Sequence, residues 1–457
     1  MPIHPIEFRY CYPEMKAIFE EESKLGYWLA VEAALAYAQA EVGNIPGKAA
    51  AEIEEKADTN HVKLVRVKEI EAEIDHDLMA MVRALSEVCQ GEAGKYVHLG
   101  ATSYDIEDTA MALQIREALR IISEDLRKME DTLVEQARRH RGTVCIGRTH
   151  GQHAIPTTYG LKFAVWACEI RRHRERLANM KKRVLVGKMT GAVGTQASFG
   201  EKGIQIQKLV MDRLKLQPVI VSTQVVQRDR HAELIMLLAL IAATLDKIAK
   251  EIRNLQRTEI GEVSEPFRQR QVGSSTMPQK RNPHKSERIC SLARMMKSLV
   301  LPALDNVSLE HERDLTNSAN ERIIIPESFI LLDYMLKQMH GIIDKLEFNP
   351  EKIRGNLELT QGLCMSESVM MRLVEKGMGR QEAHELLRGA AQRSLKSGKP
   401  LREILLEDRA LLRYLTESEV AERMDPGGYL GTAKVQVENA IRLLTCLLYT
   451  SPSPRDR

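Results

Sequence analysis

One stretch decides the fold of this chain: Gly273-Ser274-Ser275-Thr276-Met277-Pro278-Gln279-Lys280-Arg281-Asn282-Pro283. Its glycine and serines predict a mobile polar loop, because glycine adopts backbone conformations that other residues avoid. Asn282 and Pro283 predict the N-cap and first position of a helix that follows. A helix N-terminus attracts anions, and Lys280 and Arg288 add positive charge there. The residues alone therefore indicate either an anion-binding loop or a basic surface loop.

The composition of the 457 residues is that of an ordinary globular protein, with 44% hydrophobic and 28% charged residues. The formal charge of +3 is too small to predict binding to nucleic acid or to a membrane surface. The most apolar run, Leu234 to Leu245, is shorter than the ~18 residues of a membrane helix. Seven scattered cysteines without a C-x-x-C pair, and no visible secretory signal, predict a reducing, cytoplasmic location.

The hydrophobic pattern is overwhelmingly helical. Apolar residues recur at three- and four-residue steps from Leu126 to Ala137 and from Leu234 to Leu255. Long, nearly unbroken helices of this kind are typical of a helical bundle, so the chain is predicted to be all-α. Strand signals are few, and the best of them is Val219-Ile220-Val221.

Three regions are predicted along the chain. Residues 1–100 form an N-terminal helical domain, with helices near Lys24–Glu41, Ala49–Glu55 and His61–Cys89. Residues 101–349 hold the long-helix bundle and the loop quoted above, and residues 350–445 form a C-terminal helical domain with helices at Arg380–Lys396 and Leu401–Leu406. Residues 446–457 break the helical pattern and are predicted to be a non-native tail.

Further polar motifs could carry chemistry. His150 follows Thr149, and His153 stands three residues further on. This spacing permits a pair of metal ligands. The two alternatives are a hydrogen-bonded structural histidine and a general acid, since histidine titrates near neutral pH. Two more sets of polar residues are candidates for a functional site, and each has a structural alternative. Asp75-His76-Asp77 has the alternative of a charged helix face. Arg313 with Ser318 and Arg322 has the alternative of a surface salt-bridge network. Thr102-Ser103 is either a binding turn or an ordinary turn before a helix.

The loop resembles the signature of the fumarase/aspartase superfamily, Gly-Ser-Ser-x-Met-Pro-x-Lys-x-Asn-Pro, with every fixed position present. Within that superfamily the whole chain to about Leu443 is most similar to the adenylosuccinate lyase family. The resemblance implies a three-region fumarase/aspartase-like fold. It also implies a homotetramer whose active sites are each shared by three subunits, with no metal or organic cofactor. The implied substrates are adenylosuccinate and its imidazole carboxamide analogue, both of which release fumarate.

The resemblance also implies residue roles. Ser274 would be the base, His150 the acid, Glu287 the partner that orients His150, and Lys280 the cation that stabilises developing charge, with His76 in contact with the substrate. The other implied substrate-binding residues are Arg9, Tyr10, Asp75, Asp77, Thr102, Ser103, Thr149, Gln224, Asn282, Arg288, Arg313, Ser318 and Arg322.

Two alternatives stay open at the level of the sequence. The Met-Pro-Gln-Lys string also occurs in argininosuccinate lyases, which would be distinguished by not requiring a nucleotide phosphate. The superfamily further includes non-catalytic lens crystallins, although the intact Ser274, His150 and Lys280 argue against that possibility.

Overall fold

The structure, a computed structural model, describes residues 3–268 and 270–446. Within these residues it confirms the all-α class, because long helices dominate and the strands are short. The α-helices are α1 Pro13–Phe19, α2 Glu21–Glu41, α3 Gly47–Lys56, α4 Leu64–Ile74, α5 Asp77–Val88, α6 Ser103–Arg139, α7 Tyr159–Val184, α8 Gly203–Leu214, α9 Asp229–Leu255, α10 His284–Ser298, α11 Val300–Asp305, α12 Ser318–Asp344, α13 Pro350–Glu358, α14 Ser366–Glu375, α15 Arg380–Ser397, α16 Leu401–Leu406, α17 Glu417–Arg423 and α18 Ala433–Cys446.

In the part of the chain that the structure describes, the strands form three small two-stranded sheets. Their bounds are β1 Val144–Thr149, β2 Gln152–Thr158, β3 Val186–Gly187, β4 Gln217–Pro218, β5 Val263–Ser264 and β6 Glu347–Phe348. The pairs β1–β2 and β5–β6 are antiparallel, whereas β3–β4 is parallel. The predicted strand at Val219–Val221 is wrong by two residues, because the backbone pairing that joins β4 to β3 involves Gln217 and Pro218.

The chain divides into two compact units. Unit 1 comprises Met1–Arg127, His173–Leu245 and Ser291–Lys337, and unit 2 comprises Lys128–Arg172, Asp246–Cys290 and Gln338–Arg457. These units group residues by compactness in space, whereas the three predicted regions divide the sequence. The three-region division therefore stays a prediction. The predicted tail begins at Cys446, the last residue of α18, and its other residues, 447–457, lie outside the described part of the chain.

Unit 1 has an aliphatic core in which α2 packs on α3 and α8, and α4 packs on α5. Leu29, Ile53, Leu78 and Met211 are all fully buried there. Burying such side chains contributes about 1.5–3 kcal/mol each relative to leaving them exposed. This core holds in place the helix ends that line the candidate site of unit 1.

Unit 2 contains the β1–β2 hairpin and a separate core made by the helices that follow α13. Val369, Leu373, Leu405 and Val420 are fully buried in that core. The predicted helices Arg380–Lys396 and Leu401–Leu406 are confirmed as α15 and α16. No helix within residues 3–268 and 270–446 is long and apolar enough to cross a membrane.

One predicted helix, His61–Cys89, is wrong because the chain breaks in its middle. Helix α4 ends at Ile74, and Asp75 then takes a left-handed conformation with φ of 53°. Such a residue ends a helix, since its N–H bonds back to the last turn while its own backbone turns away. His76 is the N-cap of α5, and its Nδ1 accepts a hydrogen bond from the backbone N–H of Met79 at 3.3 Å. The break places Asp75-His76-Asp77 between two helices rather than on a helix face.

Candidate active site

A cavity of about 710 Å³ in unit 1 is lined by most of the predicted binding residues of that unit. Its predicted members are Asp75, His76, Asp77, Ser103, Gln224, Arg313, Ser318 and Arg322. Sequence positions as distant as 75 and 322 thus line one space. Glu71, Glu107 and Asp314 also line it, so the cavity combines cations, carboxylates and hydroxyls.

The turn before α6 is fixed by a buried carboxylate. Asp105 Oδ2 accepts from the backbone N–H of Thr102 at 2.9 Å, which caps the start of α6. Asp105 Oδ1 accepts from the N–H of Thr190 at 2.8 Å and from Lys188 Nζ at 2.5 Å. Ser103 is held at the edge of the cavity as a result, while Thr102 stands beside it and is not among the lining residues.

Gln224 and Arg313 are joined beside Tyr104, a residue that belongs to none of the predicted motifs. Arg313 Nη1 donates to Gln224 Oε1 at 2.7 Å, and Gln224 Nε2 donates to the carbonyl of Ala192 at 2.9 Å. The guanidinium carbon of Arg313 lies 3.6 Å from the ring centroid of Tyr104. Burial raises the pKa of the Tyr104 hydroxyl, and the Ser318 side chain lies close enough to oppose that rise.

Arg322 is paired with two carboxylates on the wall of the cavity. Its Nη2 lies 2.8 Å from Asp77 Oδ2 and 3.6 Å from Glu107 Oε2. Lys24 Nζ approaches Asp77 Oδ2 at 4.0 Å. Glu107 follows Ser103 by four residues on α6, so the helical period that runs from Ser103 could have identified it.

The two carboxylates beside Arg322 differ in how they titrate. Burial raises the pKa of Glu107 to about 7, and the negative charge of Asp77 adds to that rise. Burial would also raise the pKa of Asp77, but Arg322 and Lys24 outweigh it and hold that pKa below its ordinary value. The charge of this part of the cavity therefore changes near neutral pH, through Glu107.

The signature loop lies in unit 2 and closes on itself. Asn282 Nδ2 donates to the carbonyl of Gly273 at 2.9 Å. A Cβ on residue 273 would lie 2.0 Å from the carbonyl oxygen of Lys280, so only glycine fits this close approach. Ser274 Oγ accepts from the backbone N–H groups of Thr276 at 3.3 Å and Met277 at 3.2 Å.

The predicted helix start after the loop is wrong by one residue. Helix α10 begins at His284, and the carbonyl of Pro283 accepts its first helical hydrogen bond, from Glu287 N–H at 2.9 Å. Pro283 therefore precedes the helix, and the amide of Asn282 holds the loop instead of capping it. Further along, Glu265 Oε1 accepts from Ser286 N–H at 2.6 Å and so satisfies a donor of the first turn.

A second cavity, of about 830 Å³, lies beside the signature loop in unit 2. Lys280, Asn282 and Glu287 are the predicted residues that line it. Four more cations also line it: Lys250, Arg253, Arg257 and Arg281. This concentration of positive charge suits an anionic ligand. Arg288 is part of α10 but is not among the lining residues, and Ser274 lies in the loop itself.

His150 stands at the tip of the β1–β2 hairpin in unit 2. Thr149 pairs with Gln152, and the two residues between them have positive φ, 53° for His150 and 74° for Gly151. Two consecutive positive φ angles are typical of the type I′ turn that joins twisted strands. Thr149 and His150 are both exposed. This hairpin is not among the structures predicted from the sequence, although the dipeptide His150-Gly151 between alternating residues is a signal for it.

The hairpin is anchored by the buried carboxylate of Glu262. Arg148 Nη2 lies 2.5 Å from Glu262 Oε1, and the Tyr159 hydroxyl donates to Oε2 at 2.5 Å. Asn356 Nδ2 adds a hydrogen bond to Oε1 at 2.9 Å. Because Arg148 lies in β1 and Tyr159 directly follows β2, Glu262 fixes the position of the turn that carries His150.

Arg9 and Tyr10 form a pair of their own near the start of unit 1. Arg9 Nε donates to the Tyr10 hydroxyl at 3.2 Å, and the Tyr10 ring meets Tyr334 edge-on with centroids 5.7 Å apart. Neither residue lines the unit 1 cavity. Among residues 3–268 and 270–446, no group of three or more His, Cys, Asp or Glu side chains is placed to hold a metal ion.

Comparison with known proteins places these features in a family. The family model described as Lyase matches residues 7–296, and the one described as Adenylosuccinate lyase C-terminus matches residues 362–440. The adenylosuccinate lyase of Pyrococcus abyssi is 59% identical over 96% of this chain and 98% of its own length. This chain belongs to the adenylosuccinate lyase family. It is therefore a carbon–nitrogen lyase, as the resemblance implied.

Other relatives agree with the adenylosuccinate lyase assignment. The adenylosuccinate lyase of Methanocaldococcus jannaschii is 53% identical over 97% of this chain and 96% of its own length. The solved fumarate lyase from Mesorhizobium sp. BNC1 is 34% identical with a TM-score of 0.89, covering 96% of this chain and 99% of that one. The fumarase/aspartase-like fold is thus confirmed, and the argininosuccinate lyase and crystallin alternatives are not favoured.

Proposed function

We propose that this chain eliminates fumarate from adenylosuccinate, giving AMP, and from SAICAR, giving AICAR, in purine nucleotide biosynthesis. The observation that carries the proposal is the closed signature loop, in which Ser274 Oγ accepts two backbone N–H groups, beside the cationic cavity that Lys280 lines. The 59% identity to a protein named adenylosuccinate lyase supports the choice of substrate.

Ser274 is the proposed base. It removes the proton from the carbon beside one carboxylate of the succinyl group, and the electrons left behind form the double bond of fumarate as the carbon–nitrogen bond breaks. A serine hydroxyl is a weak base unless its alkoxide is stabilised. The N–H groups of Thr276 and Met277 already point at Ser274 Oγ and would stabilise that alkoxide.

Lys280 and Asn282 are proposed to hold the carboxylate whose negative charge grows as the proton leaves. Lys280 supplies a full positive charge at the cavity wall. Asn282 uses one amide hydrogen to bind Gly273 and keeps the other for the substrate. The same side chain would therefore shape the loop and contact the ligand.

His150 is the proposed acid that protonates the departing nitrogen, with Thr149 beside it in the substrate contact. Its position at the tip of a hairpin anchored by Glu262 supports this role, because the imidazole is exposed while its backbone is held. Glu287, in the first turn of α10, is the proposed carboxylate that orients the imidazole across a subunit boundary. His76 would contact the substrate from the unit 1 cavity.

The unit 1 cavity is proposed to bind the nucleotide. Gln224, Arg313, Ser318 and Arg322 supply its amide, hydroxyl and cationic groups. Arginine suits a phosphate because its planar fork donates two parallel charge-assisted hydrogen bonds. The remaining proposed contacts, by resemblance, are those of Arg9, Tyr10, Asp75, Asp77, Thr102, Ser103 and Arg288.

A homotetramer with shared active sites is also proposed. Large apolar side chains stand exposed on α9, α11 and α12 of unit 1, and covering them in an oligomer would be favourable. They are Met236, Leu240, Leu301, Leu304 and Ile323, with exposed fractions of 42% to 65%. The cytoplasm is the proposed location, since Cys11, Cys89, Cys145, Cys168, Cys290 and Cys364 are all free thiols.

Two experiments test these proposals. Purified protein is incubated with adenylosuccinate while fumarate is measured, and fumarate release from argininosuccinate instead would contradict the assignment. Inactive His150→Ala and Ser274→Ala proteins are then mixed under conditions that allow subunits to exchange. Shared sites predict that mixed tetramers recover part of the activity, whereas verified mixed tetramers without activity would place both groups in one chain.

A further inference from the structure

Tyr104 is the second residue of α6 and is only 3% exposed. It follows Thr102-Ser103 directly, but its type and position gave no functional signal in the sequence. We propose that Tyr104 is a positioning residue that holds Arg313 and Ser318 in the orientation needed to bind the phosphate of the substrate. This inference rests on the proposed function of the unit 1 cavity.

The contact between Tyr104 and Arg313 is the first support. The Arg313 guanidinium carbon is 3.6 Å from the ring centroid, which is the distance of a cation stacked on an aromatic face. Gln224 Oε1 accepts from Nη1 at 2.7 Å and fixes the rotation of the guanidinium in its plane. Ring and amide together leave Arg313 with few orientations, so its donors face the cavity before any ligand arrives.

Arg313 also has donors to spare. Its Nε is buried and has no hydrogen-bond partner in the described part of the chain. Buried donors without a partner are rare, because each forfeits its hydrogen bonds to water. A second arginine near the same ring, Arg228, also has an Nε without a hydrogen-bond partner in the described part of the chain, but that Nε lies 3.0 Å from Glu321 Oε1 in an ion pair. Arg228 lies 5.6 Å from the Tyr104 centroid and forms two hydrogen bonds of 2.9 Å to Asp108. An anion in the cavity would supply Arg313 with the hydrogen-bond acceptor and the negative charge that it lacks, whereas carboxylates already neutralise Arg228.

The hydroxyl of Tyr104 is the second support, since the Ser318 side chain lies close enough to lower its pKa against the larger effect of burial. Ser318 begins α12, where free backbone N–H groups favour a bound anion. Burial raises the pKa of Tyr104 to about 12, and Glu107 adds to this rise, so the phenol keeps its proton at neutral pH. One side chain thus contacts a cation through its ring and places its hydroxyl near the first residue of α12.

The test separates these two contacts. Tyr104→Phe keeps the ring and loses the hydroxyl, whereas Tyr104→Leu loses both. We expect Tyr104→Leu to raise the KM for adenylosuccinate roughly five- to thirty-fold, the size of one lost desolvated cation–π contact. Tyr104→Phe should raise it by less, and kcat should change far less than KM in both. For succinyladenosine, which lacks the phosphate, neither variant should change KM.

A matched control uses another tyrosine–arginine contact of unit 1. Arg213 lies 4.3 Å from the ring centroid of Tyr37, and neither residue lines the cavity. Tyr37→Leu should leave both KM values unchanged. In an Arg313→Gln background, Tyr104→Leu should add no more than the loss of the hydroxyl, which Tyr104→Phe measures alone, because the ring and Arg313 act as one unit. If Tyr104→Leu fails to fold, Tyr104→Met, with its more adaptable side chain, carries the same prediction.

Three results would overturn the inference: an unchanged KM for adenylosuccinate, an equal loss for the substrate without phosphate, or full additivity with Arg313→Gln. The affinity for AMP, measured by calorimetry, keeps this test distinct from a failure of the proposed function. A wild-type protein that releases no fumarate would refute the proposed reaction. A Tyr104→Leu protein that binds AMP as tightly as wild type would refute the role of Tyr104.

Discussion

Asp105 and Lys188 form an ion pair in which both side chains are completely buried, with Nζ 2.5 Å from Oδ1. Removing one partner of a buried pair leaves an uncompensated charge, which typically costs about 3–5 kcal/mol of stability. We therefore expect Lys188→Met to lower the free energy of unfolding by about that amount, as measured in urea. Lys208→Met, which loses an exposed pair with Asp212, should change it little. Equal effects of the two substitutions would contradict this account.

Asp105 should be the more sensitive member of the pair. It also accepts backbone hydrogen bonds from Thr102 and Thr190, so it joins the turn before α6 to the chain beyond β3. Asp105→Asn should therefore weaken substrate binding through the displaced turn as well as destabilise the protein. The KM of Asp105→Asn should rise more than that of Lys188→Met, and the reverse order would argue that the turn is held by other contacts.

Glu107 makes the stability of the protein depend on pH. Its pKa is raised to about 7 in the folded state, so the folded protein holds this proton more tightly than the unfolded chain does. The resulting stabilisation is complete below the unfolded pKa and is lost as the pH rises through about 7. Glu107→Gln cannot ionise. Its Tm relative to wild type should therefore increase between pH 5 and pH 8.

The full change in the free energy of unfolding is on the order of 3 kcal/mol, at about 1.4 kcal/mol for each unit of pKa. The pKa of Glu107 also depends on the charges of Lys24, Asp77, Asp108 and Arg322. These four residues must therefore be unchanged in both proteins that are compared. A difference in Tm that is constant across this pH range would show that Glu107 does not titrate there.

The hairpin that carries His150 should depend on Glu262. Glu262→Gln removes the charge that pairs with Arg148, whereas Tyr159→Phe removes only one hydrogen bond to the same carboxylate. We expect a large loss of stability and of kcat for Glu262→Gln. The loss for Tyr159→Phe should be smaller, on the order of 1 kcal/mol in stability. Denaturation and steady-state kinetics measure both, and a normal kcat in Glu262→Gln would remove it from the support of His150.

The helices were predictable because their hydrophobic period is local information. Leu401–Leu406 was located to the residue, and Arg380–Lys396 to within one residue at its end. The break at Asp75 was not predictable in this way. The helical pattern of the sequence continues on both sides of Asp75, although the backbone turns there. The break lies in the left-handed backbone of Asp75 and the capping of α5 by His76, which the hydrophobic period does not report.

The members of the candidate site were recognised by motif, but their contacts were not. Tyr104 and Glu107 belong to no quoted motif, and their roles arise from Arg313 and Arg322, more than two hundred residues away in the sequence. The sequence predicts that Asn282 caps a helix, but its side chain binds Gly273 because the loop folds back on itself. Long-range pairings of this kind are set by the fold, and a short sequence window does not contain them.

Fumarate release by wild-type protein and by Ser274→Ala tests the central claim most directly. Thr276→Ala is the matched control, since it removes a neighbouring hydroxyl but keeps the backbone N–H that Ser274 Oγ accepts. The account predicts that wild type and Thr276→Ala release fumarate from adenylosuccinate, while Ser274→Ala binds adenylosuccinate and is nearly inactive. A Ser274→Ala protein with normal turnover, or a wild-type protein that releases no fumarate from adenylosuccinate, would contradict it.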